Sequence, residues 1–170
     1  MVLKIHNKKV SEKGLTYVEI TVVIAIIAII SAYALLSVNP SELRGKARDE
    51  KRVSDLQLID RAINEYRIDN GVYPDFSDIV RVSTSLPVGS SGPLVNSLGN
   101  GWIAADLSDY ITKLPTDPLN DSTHHYSYAH TDFGYELQAS LEVLTEYSLN
   151  SNDGGDDDLY YELGNDLTIL

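Results

Sequence analysis

The chain has 170 residues and a mass of 18.8 kDa, 43% hydrophobic and 22% charged, which is enough for one modest core with an appendage and too little for two ordinary domains. Acids outnumber bases 25 to 13 for a formal charge of −12, so nucleic acid is not an expected partner, since its backbone calls for a basic surface. The absence of cysteine excludes a disulfide framework, a thiolate zinc site and a cysteine nucleophile.

The charge is segregated along the chain. Residues 1–14 carry Lys4, Lys8, Lys9 and Lys13 against Glu12 alone, whereas residues 69–170 hold 17 acids with only Arg81 and Lys113 as bases. Between them lies Leu15 to Val38, 24 residues whose only charge is Glu19. As a helix this segment extends roughly 36 Å, sufficient for a hydrocarbon core of roughly 30 Å. The lysines before it predict a cytoplasmic N-terminus and an extracytoplasmic remainder. A carboxylate inside such a segment is costly unless it reaches the interface or finds a cationic partner.

Lys13-Gly14-Leu15-Thr16-Tyr17-Val18-Glu19-Ile20 resembles the cleavage signal of type IV pilins and of the pilin-like subunits, or pseudopilins, of type II secretion systems. The resemblance implies that a prepilin peptidase cuts between Gly14 and Leu15, that Leu15 is then N-methylated, and that Glu19 is needed for assembly. Leu15 stands where phenylalanine is commonest in that family. Cleavage would create an ammonium at Leu15, which Glu19 of a neighbouring subunit could pair in an apolar environment where either charge alone is costly. Intramolecular pairing at i, i+4 is the competing geometry. A secretory signal peptide is the rival reading of the whole segment, because Ala32-Tyr33-Ala34 has the form of a cleavage site.

Asn39-Pro40-Ser41-Glu42 reads either as a capping box opening a second helix or as a proline kink in one continuous helix. Gly45 adds to this hinge at about 1 kcal/mol relative to alanine. Beyond it, Val53, Leu56, Ile59, Ile63 and Tyr66 recur at spacings of 3, 3, 4 and 3 and predict an apolar stripe lying against a globular domain. Gly71 and Pro74 end the helix. Arg44, Arg48 and Arg52 fall on one face at spacings of four. They are expected as a solvated collar, meeting lipid headgroups or receiving the acidic part of a neighbouring subunit.

Residues 75–103 are rich in Ser, Gly, Pro and Asn and read as a long surface loop; residues 104–111 read as a short helix. A strand is expected over His124 to His130, with Tyr126 and Tyr128 on one side, and a half-buried strand over Tyr135 to Glu142. The Leu114-Pro-Thr-Asp-Pro118 turn followed by these two strands resembles the C-terminal domain of major pseudopilins. The expected fold is therefore α+β: residues 1–14 a leader, 15–38 a transmembrane and filament-core helix, 39–72 its amphipathic continuation, and 73–170 an extracytoplasmic domain with a small antiparallel sheet, pilin-like.

Asn152-Asp-Gly-Gly-Asp-Asp-Asp158 places four aspartates in six positions. Such a loop is either solvated or neutralised by a hard cation, and Ca²⁺ on Asp153, Asp156 and Asp158 is the expectation, although the spacing is not that of an EF-hand. His124, His125 and His130 read as surface strand histidines. No nucleophile elbow, H-E-x-x-H motif or paired-acid constellation is present, so no catalytic residue and no enzyme is expected. The functional reading is a structural subunit of a type IV pilus or type II secretion pseudopilus. Its partners are further copies of itself, the peptidase, an ATP-driven assembly platform and the membrane. A secreted acidic Ca²⁺-binding domain and a monomeric signal-anchored binding module are the alternatives.

Overall fold

The computed structural model describes residues 14–37, 39–143 and 149–170; the leader lysines and Val38 lie outside them. The chain divides into two units, residues 1–40 and 41–170. The first contains helix α1, Tyr17–Ser37, which is the one candidate membrane span among the described residues. Residues 17–34 are exposed all round, so the helix has no polar face to give to water and no apolar face covered by its own unit. Thr21 turns its hydroxyl back onto the Val18 carbonyl at 2.8 Å and so presents little polarity outward.

Helix α2, Pro40–Asn70, begins on the proline, as a residue lacking an N–H suits the first helical position. It stops where expected. Gly71 takes φ 75°, and its N–H donates to the Arg67 carbonyl at 2.8 Å, a left-handed cap that a side chain would resist.

Four strands follow: β1 (Arg81–Val82), β2 (Tyr126–His130), β3 (Tyr135–Ala139) and β4 (Tyr161–Gly164). They form one antiparallel sheet in the order β1-β2-β3-β4. The α2 stripe packs here: Leu56, Ile59 and Ile63 are buried with Tyr126, Tyr128, Leu137 and Ala139 of the sheet, while Val53 and Tyr66 are half-buried. The fold is α+β, as the sequence implied. Tyr126 and Tyr128 do share one side, and each buried hydroxyl has an acceptor, Asp55 Oδ2 and the Pro74 carbonyl, both at 2.9 Å. That satisfaction is what allows a tyrosine into a core.

Three expectations are corrected. Residues 75–103 are not a surface loop throughout: they supply β1, and Trp102 and Ile103 are fully buried, with the Trp102 indole donating to the Pro115 carbonyl at 2.8 Å. Residues 104–111 form no helix. Asp106 pairs with Leu98 as an isolated bridge and the Leu107 N–H donates to the Ser97 carbonyl at 2.7 Å, so tertiary pairing takes the groups that a helix would use, and only a turn remains at 107–111. Lastly, β3 is buried on both faces rather than one. Its second face is covered by the 149–170 segment, which also contributes β4, a strand the sequence reading lacked.

Candidate functional site

The N-terminal site is built on the start of α1. Gly14, Leu15 and Thr16 precede the helix in non-helical backbone, so the expected scissile bond between Gly14 and Leu15 lies outside regular structure. Thr16 is the N-cap. Its hydroxyl accepts from the Glu19 N–H at 3.2 Å, and Glu19 Oε2 accepts from both the Thr16 N–H and hydroxyl at 3.1 Å. This is a reciprocal capping box, and the Thr-x-x-Glu spacing that announces it is visible in the sequence although it was not read there. Glu19 is thereby held beside the helix N-terminus, where the Leu15 amine would appear after cleavage, while Oε1 has no partner among the described residues. Gly14 and Leu15 immediately precede this cap.

The second cluster overturns the arginine collar. Arg52 is fully buried: its Nε and Nη2 donate to Asp117 at 2.6 and 3.2 Å, and its Nη1 donates to Asp49 and Glu142, both at 2.7 Å. Arg48 grips Glu142 through Nε at 2.7 Å and through Nη2. Asp49 in turn accepts the N–H groups of Glu142 and Val143 at 2.9 and 2.7 Å. Arg48 and Arg52 therefore face inward to the Leu-Pro-Thr-Asp-Pro turn and the segment after β3. Of the three arginines only Arg44 keeps the expected exposed position.

Gly45 belongs to the same junction. A Cβ there would come within 2.5 Å of a Val143 methyl, so the glycine admits the 142–143 segment to the helix surface and is not merely a hinge. The hydrogen bond from Arg48, with Arg52 adding to it against the opposing effect of burial, lowers the Glu142 carboxyl to about 2 from an ordinary 4.5. A depressed carboxyl contributes stability above its unfolded value and loses it as pH falls toward the folded one. Melting temperature is accordingly expected to drop between about pH 4.5 and pH 2 more steeply in the natural chain than in Glu142→Gln, which starts lower at pH 7.

The acidic loop is organised differently from the expected calcium cage. Asp153 spends Oδ1 on the Gly155 N–H at 3.0 Å and Oδ2 on the Glu162 N–H at 2.8 Å, while Asp156 and Asp158 are exposed. Asp153, Asp156 and Asp158 do not converge, and among the described residues no three His, Asp or Glu side chains are grouped to hold a metal.

Behind the loop stands a pair that the sequence reading missed. Glu136 and Glu162 are buried and share the Gln138 amide, which donates to both at 2.9 and 3.0 Å. Glu136 also accepts the N–H groups of Ile169 and Leu170, and Glu162 that of Asp157, so the pair clasps the last residues and the acidic loop to the sheet. Burial, then the neighbouring Glu136, raises the Glu162 carboxyl to about 7. The register that sets Gln138 opposite Glu162 puts both on one face, and only that pairing makes the cluster legible. Asn150, nearly fully buried with neither side-chain polar atom hydrogen-bonded among the described residues, stands three residues before Asp153.

Comparison with known proteins gives one consistent answer. The chain is 32% identical to type II secretion system core protein G of Klebsiella pneumoniae over 107 residues, 63% of this chain and 69% of that protein. The protein of the same name from Aeromonas hydrophila is 30% identical over 111 residues, 65% of this chain and 70% of its own length, and that from Vibrio cholerae is 25% identical over 121 residues, 71% and 75%. No family model and no solved structure matches. These relatives are structural pseudopilins rather than enzymes. With an apolar helix capped by its own glutamate ahead of an α+β unit, and with this identity over more than two thirds of its relatives, the chain belongs to the type II secretion system core protein G family of pseudopilins.

Proposed function

We propose that the chain is a subunit of a type II secretion pseudopilus, inserted in the cytoplasmic membrane by α1, cut between Gly14 and Leu15, methylated on Leu15 and then polymerised. The observation that carries this reading is the exposure of α1. An apolar helix uncovered on every side is stable only in lipid or against equivalent helices, and a filament core supplies the second environment once the first is left. Passage between them is thermodynamically uphill for one chain, so an ATP-driven assembly platform is implied as a partner, with the prepilin peptidase. The acidic unit would lie outside the cytoplasm, as the leader lysines direct.

Intact-mass measurement of the full chain from cells that contain the peptidase tests this. Loss of residues 1–14 with gain of one methyl group is the expected result. Loss of residues 1–34 would mean a secreted soluble domain, and an unprocessed chain a membrane-anchored module; either outcome removes the proposal.

A further inference from the structure

We infer that adjacent copies of this chain dock through a lysine-rimmed groove on one flank of α2 and the acidic loop, residues 153–159, of the next copy; the inference rests on the pseudopilus reading. The groove, about 410 Å³ and open to solvent, is lined by Leu58, Val95 and Leu114 together with Lys51, Lys113, Asp55 and Asp117. Both aspartates are buried, Asp117 against Arg52, so the charged groups it turns to solvent are the two lysine ammoniums. Lys113 is exposed and has no acid partner among the described residues. Lys51 binds Asp55 at 2.8 Å but leaves 58% of its side chain exposed, against 9% for the aspartate, so the face turned to solvent is positive.

Few other bases are available among the described residues. Arg48, Arg52 and Arg81 are spent on carboxylates of the globular unit, Lys46 and Arg61 on helix neighbours, and Arg67 lies over the Tyr73 ring at 4.0 Å, which leaves the exposed Arg44 near the start of α2. In a chain of net charge −12, a groove rimmed by two exposed lysines is the exception, and like-charged copies approach each other most readily where one presents such an exception.

The acidic loop has the complementary chemistry. Asp156 and Asp158 are exposed, and Leu159 beside them is 73% exposed. Aspartates flanking a projecting leucine fit lysines flanking an apolar floor. The two surfaces also lie on opposite flanks. At helical spacing, residues 51, 55 and 58 fall to one side of the buried Leu56, Ile59 and Ile63, and residues 60 and 64 fall to the other. The contacts agree: Asp55 meets Tyr126 of β2, whereas Asp60 and Asn64 meet Tyr135 of β3. The acidic loop is tied through Asp153 to β4, beyond β3. A surface matched to one on the opposite flank makes a head-to-tail contact that repeats without closing, as a filament requires.

Carbodiimide cross-linking of filaments of the natural chain, which joins only amines and carboxylates already in contact, tests the contact by mass spectrometry. Peptides linking Lys51 or Lys113 to Asp156, Asp157 or Asp158 are expected in filaments and not in detergent-dispersed monomers. A second probe uses the absence of native cysteine: the Lys113→Cys, Leu159→Cys chain is expected to yield a disulfide ladder in filaments, and the Lys113→Cys, Phe133→Cys chain none. Filaments that give neither linkage overturn the contact while leaving the subunit reading intact. Failure of the natural chain to form filaments where the secretion machinery is present overturns both.

Discussion

Replacement of Arg52 by alanine is expected to lower the melting temperature of the globular unit steeply. The guanidinium is fully buried and donates to three carboxylates, those of Asp49, Asp117 and Glu142. Without it, the buried Asp117 loses the guanidinium that Nε and Nη2 bring to it, Asp49 loses its Nη1 contact, and Glu142 keeps Arg48. Breaking a buried ion pair by removing one partner costs about 3–5 kcal/mol, and domains are stable by only about 5–15 kcal/mol. Thermal unfolding of the full chain in detergent, followed by circular dichroism, should show the loss. Arg52→Met with Asp117→Asn is expected to recover part of it, because removing both charges of a pair removes the desolvation penalty with the attraction. Wild-type melting of Arg52→Ala would mean that the network contributes nothing.

Glu19→Val is expected to abolish filaments while leaving membrane insertion and leader cleavage intact, and Glu19→Gln is expected to do the same. The second replacement is the more informative one. Glutamine serves at the third position of a capping box, so it can keep the acceptor that Thr16 uses and lose only the charge. If Glu19 acts solely by capping α1, the glutamine chain assembles normally. If it acts by pairing with an ammonium at Leu15 in an apolar surrounding, the neutral side chain fails like valine. Either change makes entry into the bilayer easier, since a carboxylate in a spanning helix is costly, so lost filaments cannot be attributed to lost insertion. Electron microscopy of sheared filaments, with fractionation of the membrane-held chain, distinguishes the outcomes.

What was legible in the sequence was what local rules determine. The end of α2 at Gly71, the Leu56-Ile59-Ile63 stripe and the paired Tyr126 and Tyr128 all follow from spacing and from residues with one conformational preference. Arg48 and Arg52 show where such rules stop. Their spacing of four placed them correctly on one helix face, but their partners at 117 and 142 are 65 to 94 residues away, and no local pattern states which face a distant carboxylate will meet. The helix expected at 104–111 failed for the same reason, since Ser97 claimed the Leu107 amide. At the acidic loop, charge density suggested a cation, whereas backbone amides bind Asp153 and a buried Glu136–Glu162 pair stands behind it. At the N-terminal site, the Thr16 to Glu19 spacing was in plain view and concerned a local structure; it was overshadowed there by the stronger signal of the apolar run.

The sheet ends in strands of two residues at β1 and four at β4, and one of the two residues of β1 is an arginine. Long flat edges recruit strands from other molecules and lead to cross-β aggregation, which short and charged edges prevent. Crowding along a fibre raises that hazard for every copy. A chain that polymerises, as proposed, through helices and side-chain surfaces has to refuse polymerisation through its backbone, and edges this short serve that refusal. On that reading the contacts between copies would separate without unfolding, and a filament built from them could be taken apart and its subunits used again.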